Sequence, residues 1–248
     1  MPQKIAVISD IHSNRFALEA VLKNISDRGI QTIVNLGDSL FGPIDPLGTA
    51  KLLMENENMI HIMGNCDQLL LERENASPTY QFVKPRIHRE VEDWLRSFRK
   101  KCSIDNILFC HGTPHSNEQY MLEEVGEKGA RYKEADQLTE ETALLSESYV
   151  VCGHSHVFRS VYLPNGKMIV NAGSVGLPAY YDECPYPHVM ESGSPYAVYL
   201  IATEIGERLW GFEHVMLPYD WKRASAAARA NGREDYAYAI ETGRAMLI

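Results

Sequence analysis

The sequence lacks an excess of basic residues. Of its 248 residues, 24 are Lys or Arg and 33 are Asp or Glu, which gives a formal net charge of -9 at pH 7. Non-specific affinity for DNA, RNA or anionic membranes depends on basic patches. We therefore expect no membrane attachment and no strong nucleic-acid binding, and a nuclease is disfavoured.

The sequence also lacks long apolar runs and paired cysteines. No stretch approaches the run of about 20 apolar residues that a membrane-spanning helix needs. The first predicted strand starts at Lys4, which leaves no room for a signal peptide. The five cysteines are odd in number and form no Cys-x-x-Cys pair, a usage typical of reduced thiols. We expect a cytoplasmic protein.

What is present is the composition of an ordinary globular protein, with 45% hydrophobic and 23% charged residues. A chain of this length can bury a full core as one domain. No internal repeat or low-complexity tract divides it. We predict a single domain over residues 1–248.

Five short apolar runs, rich in β-branched residues and followed by turn formers, predict buried strands. They cover residues 4–9, 31–36, 59–63, 106–110 and 149–152. The spacing of apolar residues elsewhere predicts helices, and these cover residues 15–28 after an Asn14 cap, 45–55, 87–98 and 139–146. Because crossover helices join parallel strands, much of the sheet should be parallel.

The second half of the chain changes to an antiparallel pattern. Hairpins are predicted over residues 157–171 and 196–217, the first of them turning at Asn165-Gly166, and two helices follow over 220–231 and 234–244. A further hairpin is predicted over 101–110. Residues 177–195 have four prolines, three tyrosines and no clear period, which predicts a long loop. It is either a flap beside the functional site or a packed surface loop or dimer contact.

Side chains that can bind a divalent metal follow all five predicted strands. They are Asp10, His12, Asp38, Asn65, His111, His154 and His156. Each piece alone is commonplace in turns. Since the carboxyl ends of parallel strands form one rim of an α/β sheet, the whole set is expected to converge on one site.

The donor chemistry of this set indicates a catalytic centre with two divalent metal ions. Nitrogen and oxygen donors without thiolate suit manganese, iron, zinc, nickel or cobalt better than calcium, and we expect manganese. Seven donors exceed what one ion needs, so one carboxylate should bridge two ions. Two ions, two aspartates and a bridging hydroxide leave a net charge of about +1, which attracts an anion. Attack of that hydroxide on the phosphorus of a phosphate ester follows.

The motifs resemble those of the calcineurin-like metallophosphoesterase superfamily, in order and with family-like spacing. They are Asp10-x-His12, Gly37-Asp38, Gly64-Asn65, His111-Gly112 and Gly153-His154-Ser155-His156. The resemblance covers residues 4–175. It implies an α/β fold, a four-layer α/β/β/α sandwich with mixed sheets and antiparallel C-terminal strands.

The resemblance also implies how the ligands divide between the ions. One ion would be held by Asp10, His12, Asp38 and His156, and the other by Asp38, Asn65, His111 and His154. Residues 37–43, 111–114 and 171–176 further resemble the small cytosolic phosphodiesterases of bacteria and archaea. The segment 171–176 either buttresses the metal rim or is a tight glycine turn without a direct role.

Two departures from the family pattern affect the expected activity. Phe41 and Gly42 stand where the protein serine/threonine phosphatases carry an Asp-Arg pair, so the arginine that grips a phosphoprotein is missing. Cys66 stands where many members carry a histidine that protonates the leaving group. Cys66 donates weakly, is only a packing residue, or leaves protonation to His115 or solvent. We favour packing.

The leading interpretation is a phosphodiesterase with Asp38, Asn65 and His154 as catalytic residues. Asn65 and His154 would also hold the oxygens of a small phosphoester substrate, and among the other histidines His115 has the best chance of reaching it. The alternatives are a phosphomonoesterase, a dinucleoside polyphosphate hydrolase, and a non-catalytic metal-binding scaffold like the retromer subunit of the superfamily. The natural substrate and a homodimer stay open.

Overall fold

A computed structural model describes residues 2–72 and 75–247. The strands are β1 (Lys4–Ile8), β2 (Thr32–Asn35), β3 (Ile60–His61), β4 (Lys101–Ile104), β5 (Ile107–Cys110), β6 (Glu123–Gly126), β7 (Gly129–Tyr132), β8 (Tyr149–Cys152), β9 (Arg159–Tyr162), β10 (Met168–Asn171), β11 (Ala179–Asp182), β12 (His188–Glu191), β13 (Ala197–Gly206) and β14 (Leu209–Leu217). The helices are α1 (Arg15–Asp27), α2 (Pro46–Met54), α3 (Asn65–Leu71), α4 (Pro78–Val83), α5 (Arg89–Arg96), α6 (Ala135–Thr142), α7 (Trp221–Ala230) and α8 (Glu234–Thr242).

The first sheet has the strand order β14-β13-β1-β2-β3. Strands β1, β2 and β3 are parallel, and β13 and β14 extend the sheet as antiparallel strands at one edge. Helices α1 and α2 connect the parallel strands, as the sequence predicts. The carboxyl ends of β1 and β2 therefore lie side by side, with Ile8 paired to Asn35.

The second sheet has the strand order β4-β5-β8-β10-β9. Its three central strands are parallel, and β4 and β9 are antiparallel edges. The predicted hairpins over residues 101–110 and 157–171 are confirmed. Both sheets thus present the ends of central parallel strands to the same region.

Apolar clusters separate four layers. Side chains such as Val7 and Phe109 pack between the two sheets. Helix α1 covers the outer face of the first sheet through Leu18 and its neighbours. Helix α6 covers the outer face of the second sheet through Leu138. The predicted α/β/β/α sandwich is confirmed.

Helix α1 begins where its predicted cap lies. The Asn14 side chain accepts a hydrogen bond from the backbone N–H of Ala17 at 3.2 Å, which satisfies a donor that the first turn leaves free. Leu18, Val21 and Ile25 form its buried face. Cap and buried face together fix the short loop that carries Asp10 and His12.

Strand β3 and helix α6 have bounds that differ from those predicted from the sequence. Strand β3 covers Ile60–His61 rather than residues 59–63, because the chain then leaves the sheet and the Met63 N–H donates to the Arg99 carbonyl at 2.8 Å. Helix α6 lies about one turn earlier than residues 139–146, since Leu138 and Thr142 are the residues that bury against the second sheet.

The prediction of a long loop over residues 177–195 is wrong. This segment contains the β11–β12 hairpin, with Tyr181 paired to Val189. Its strands are only four residues long, and the prolines lie before, between and after them, which hides the alternation. Helices α3 and α4 and the β6–β7 hairpin are also absent from the sequence-based prediction. Within the described ranges, no helix has both the length and the apolar character to cross a bilayer.

Candidate metal centre

The seven predicted ligands follow the ends of β1, β2, β3, β5 and β8, and the fold brings them together. Ligand atoms of Asp10, His12 and His156 lie within 4.8 Å of one another, and so do those of Asp38, His111 and His154. Cys66 forms a third such group with His12 and Asp38. Each triad combines residues that follow strands of both sheets, so the two sheets meet at one rim.

Backbone carbonyls fix the orientation of all four candidate histidines. The contacts are His12 Nδ1 to Phe41 O at 2.7 Å, His111 Nδ1 to Leu36 O at 3.0 Å, His154 Nε2 to Glu118 O at 3.1 Å, and His156 Nδ1 to Leu177 O at 2.6 Å. A carbonyl oxygen only accepts, so the ring nitrogen beside it carries the hydrogen and donates it. The other ring nitrogen then presents a lone pair to the centre, the form that binds a metal.

The ring lone pairs that face the centre meet other acceptor atoms, and no hydrogen lies between the two atoms of each pair. His12 Nε2 lies 3.1 Å from His156 Nε2, and His111 Nε2 lies 2.9 Å from Asn65 Oδ1. In the neutral tautomers set by the carbonyls, each pair consists of two acceptors. A shared cation satisfies such a pair.

The two carboxylates add buried negative charge between the histidines. Asp10 Oδ1 is buried with no hydrogen-bond partner in the described structure and lies 3.3 Å from His156 Nε2. Asp38 Oδ2 lies 3.7 Å from His12 Nε2 and 3.6 Å from His111 Nε2. The unpartnered oxygen and the converging lone pairs show that the residues fit divalent metal ions.

Burial and neighbouring charge shift the pKa values of these groups. Burial, with the nearby His111, lowers the pKa of His154 to about 4. Burial and His156 also lower the pKa of His12. Burial acts to raise the pKa of Asp10, but His156 and the other histidines lower it below its ordinary value. For His111, the lowering by burial is outweighed by the Asp38 and Asp10 carboxylates, and the pKa is raised.

The backbone at the centre adopts a conformation that side chains disfavour. Asp10, His12, Asp38, His154 and His156 all have positive φ, between 47° and 70°. Each such residue costs about 1–3 kcal/mol and persists only where the surroundings impose it. Clusters of this kind occur at functional sites.

One residue missed by the sequence analysis ties the loops after β2 and β3 together. The buried Asp67 carboxylate accepts backbone N–H groups of Asp38 at 2.8 Å, Ser39 at 2.9 Å and Gly64 at 3.3 Å. Gly64 is needed at this contact, because a Cβ there would lie 2.0 Å from Asp38 Oδ1. The position of Asp67, two residues after Asn65, was the available signal.

The segment 171–176 buttresses the centre, as one of the two interpretations predicts. The Asn171 amide donates to the Gly153 carbonyl at 2.6 Å, and Ser174 Oγ donates to the Asp10 carbonyl at 2.8 Å. The Val175 N–H donates to the Ser9 carbonyl at 2.9 Å. These bonds join the loops after β1, β8 and β10.

Two tyrosines pack against the candidate ligands. The Tyr120 ring stacks on His154 with 4.5 Å between centroids, and Tyr180 of β11 meets His156 edge-on at 4.5 Å. Their hydroxyls lie 2.7 Å apart, and the Tyr180 hydroxyl donates to the His154 carbonyl at 3.1 Å. The β11–β12 hairpin therefore covers the centre, as the flap interpretation expects, and Tyr180 both packs on a candidate ligand and lines the space beside it.

The centre opens into a cleft of about 390 Å³. We define its floor as His12, Asp38, Asn65, His154 and His156. We define its wall as the cleft-lining residues at α4, at β11 and at the start of α8, which are Ser77, Thr79, residues 179–182, Arg233, Asp235 and Tyr236. Cys66 also lines the cleft. The exposed His115 lies instead in a separate depression beside Thr113 and Asn117.

Comparisons with known proteins agree with this fold. A protein of Methanocaldococcus jannaschii, itself uncharacterised, is 27% identical over 201 residues, which cover 70% of this chain and 76% of that protein. The crystal structure of a metallophosphoesterase from Sphaerobacter thermophilus matches with a TM-score of 0.74 and 21% identity, covering 97% of this chain and 100% of the other. A hypothetical protein from Pyrococcus horikoshii OT3 matches with a TM-score of 0.71 and 16% identity, covering 97% and 98%.

A family model of the calcineurin-like phosphoesterase superfamily domain matches residues 3–189. This match spans most of the chain and includes all seven candidate ligands. The chain belongs to the calcineurin-like phosphoesterase superfamily, and is a phosphoric ester hydrolase of the kind that uses divalent metal ions.

Proposed function

We propose that the chain hydrolyses phosphodiesters at a centre of two divalent metal ions, with manganese the first choice. One ion would be held by Asp10, His12, Asp38 and His156, and the other by Asp38, Asn65, His111 and His154. The observation that carries this proposal is the position of Asp38 Oδ2, at 3.7 Å from His12 Nε2 and 3.6 Å from His111 Nε2. One carboxylate oxygen thus lies between donors of both sets.

When bound, the ions would supply Lewis acidity and a water of lowered pKa. The chain's own residues would orient the ester. Asn65 Oδ1 is turned to His111, and its amide nitrogen lies 3.7 Å from Cys66 Sγ, beside the cleft. This NH₂ group can donate to a non-bridging phosphate oxygen. His154, held neutral at pH 7 by a pKa of about 4, would border the same oxygens without competing for a proton.

A diester is favoured because the cleft continues beyond the floor. Its wall reaches from Tyr180 to Tyr236, which leaves room for a second ester arm beside the scissile phosphate. Cys66 packs against the apolar cluster of Leu70 and Phe41. Burial and the neighbouring Asp38 raise the pKa of its thiol well above the ordinary value. We therefore assign Cys66 to packing, and its thiol to no proton transfer.

The test is hydrolysis of bis-p-nitrophenyl phosphate by manganese-loaded protein. We expect Asp38→Ala and His156→Ala to lower kcat/KM by at least about a thousandfold, because each removes a metal ligand. His88→Ala, at an exposed histidine that precedes α5, is the matched control and should keep full activity. Retained activity in both ligand variants would refute the proposal.

We further propose that residues 1–248 form one catalytic domain that acts in the cytoplasm. The fold match over 97% of the chain supports the first statement. The second is supported by the cysteines, which are all free.

A further inference from the structure

The wall of the cleft contains a cation that the metal centre does not use. Among the described residues that line the cleft, Arg233 is the one lysine or arginine. It immediately precedes α8, far along the chain from the five motifs, and faces Thr79 near the start of α4. An arginine is therefore present in the cleft although Phe41 and Gly42 stand where the protein serine/threonine phosphatases carry an Asp-Arg pair.

Neighbouring side chains fix the orientation of the Arg233 guanidinium. Its Nε donates to Asp235 Oδ1 at 2.9 Å and its Nη2 to Asp235 Oδ2 at 2.6 Å. Its Nη1 donates to Thr79 Oγ1. Its Cζ lies 4.4 Å from the centroid of the Tyr236 ring. Such a group loses little conformational freedom when it binds a ligand.

The guanidinium still has hydrogen-bonding capacity. Arginine has five N–H donors, and the three hydrogen bonds above leave a further N–H on Nη1 and one on Nη2, with the Tyr236 side chain as the other polar neighbour. Its side chain is only 18% exposed, and it borders the cleft. A planar guanidinium with an N–H remaining on each Nη can donate to two oxygens of a phosphate.

We propose that Arg233 binds a second anionic group of the substrate, of the phosphate class, on the ester arm that lies along the wall. Asp235 and Thr79 are its positioning residues. The inference rests on the proposed function and adds a substrate class to it, a phosphodiester that carries a further phosphate. In this proposal the floor binds the phosphate whose ester bond is cleaved, and the wall determines which substrate is preferred.

Two chromogenic substrates that differ by one phosphate test this assignment. They are the 5′-p-nitrophenyl ester of thymidine 5′-monophosphate and the same ester with a 3′-phosphate. We expect the manganese-loaded protein to show a KM about tenfold lower for the phosphorylated ester, since a charge-assisted bidentate contact has that order of strength. Arg233→Gln should lose the preference with kcat within about threefold, and Arg233→Lys should recover part of it.

Arg229→Gln is the matched control. Arg229 lies at the same α7–α8 junction and pairs with Glu234 and Glu241 outside the cleft, so its loss perturbs the junction without touching the wall. The preference should survive in this variant. An unchanged preference in Arg233→Gln, or an equal rise of KM for both esters, would overturn the assignment.

A binding measurement separates this inference from the proposed function. Calorimetry of thymidine 3′,5′-bisphosphate should show affinity about tenfold lower in Arg233→Gln than in the unaltered protein, with thymidine 5′-monophosphate changed less than about twofold. If neither ester is hydrolysed, the proposed function fails, and this binding difference alone then supports or refutes the role of Arg233. Equal affinity in the two proteins would refute it.

Discussion

The floor and the wall of the cleft are built by different means. Floor residues follow strand ends, and backbone groups hold them, as when the Cys66 N–H donates to Asp38 Oδ1 at 2.9 Å. Wall residues lie on short helices and a hairpin, and side chains hold them, as when Arg233 pairs with Asp235. The floor is therefore sensitive to backbone geometry, and the wall can change by substitution of single side chains.

This difference separates chemistry from specificity. Backbone-held ligands at positive φ keep one arrangement, which suits reaction geometry that tolerates little displacement. Side-chain contacts in the wall set which ester arm fits. Substitutions in the floor should lower kcat and metal binding, whereas substitutions in the wall should change KM or stability.

Apart from removal of a metal ligand, the largest effect is expected from Gly64→Ala. The added Cβ would lie 2.0 Å from Asp38 Oδ1 and 2.4 Å from Asp38 N, so the shared carboxylate must move. We expect kcat on bis-p-nitrophenyl phosphate to fall by at least about a hundredfold. Gly126→Ala is the control, since nothing lies within 4 Å of its Cβ position. Full activity of Gly64→Ala would show that the floor is not held by backbone contact.

The next prediction concerns how the free energy of unfolding depends on pH through His61. His61 of β3 stacks on Phe98 at 4.8 Å between centroids and accepts a hydrogen bond at Nδ1 from the Asn35 amide at 3.2 Å. Burial lowers its pKa from 6.5 to about 4. Between these pH values the unfolded chain binds the proton and the native chain does not, so stability falls as pH falls.

This stabilisation by neutral His61 is complete above pH 6.5 and is lost towards pH 4, with a total of at most about 3 kcal/mol. His61→Gln should flatten the pH dependence of the free energy of unfolding in that window. Urea denaturation of metal-depleted protein at several pH values measures it. His88→Ala, at an exposed histidine, should leave the slope unchanged. An unaltered slope in His61→Gln would contradict the assignment.

A smaller effect is expected from Tyr180→Phe in the wall. The change removes the hydroxyl that contacts Tyr120 and donates to the His154 carbonyl. We expect a loss of about 1 kcal/mol in the free energy of unfolding, seen as a drop of about 2–4 °C in Tm. The exposed Tyr162→Phe should leave Tm unchanged. Loss of bound metal in Tyr180→Phe would show that the hairpin is part of the floor.

The smallest effect is expected from Cys66→Ser. If the thiol only packs, kcat on the activated nitrophenyl diester should stay within about threefold, because nitrophenolate needs no proton to leave. A thousandfold fall with both metals retained would contradict the assignment of Cys66 to packing.

The floor could be predicted from the sequence because each ligand follows a strand within four residues. Local order along the chain then fixes its place at the rim, as Asp10 and His111 illustrate. The parallel strands and their crossover helices could also be predicted, because the spacing of apolar residues along the chain distinguishes a strand from a helix.

The wall could not be predicted because its parts meet only in the folded chain. Thr79 and Arg233 are hydrogen-bonded across most of the sequence, and neither belongs to a motif. The β11–β12 hairpin was missed because prolines flank two short strands. Tyr120 reaches His154 from a segment without regular spacing. These contacts depend on tertiary packing, which periodicity does not encode.

The most direct test of the shared centre is anomalous diffraction from crystals grown with manganese. The proposed function predicts two manganese peaks about 3.5–4 Å apart, with the Asp38 carboxylate between them. A single peak, or two peaks of which Asp38 contacts only one, would contradict it.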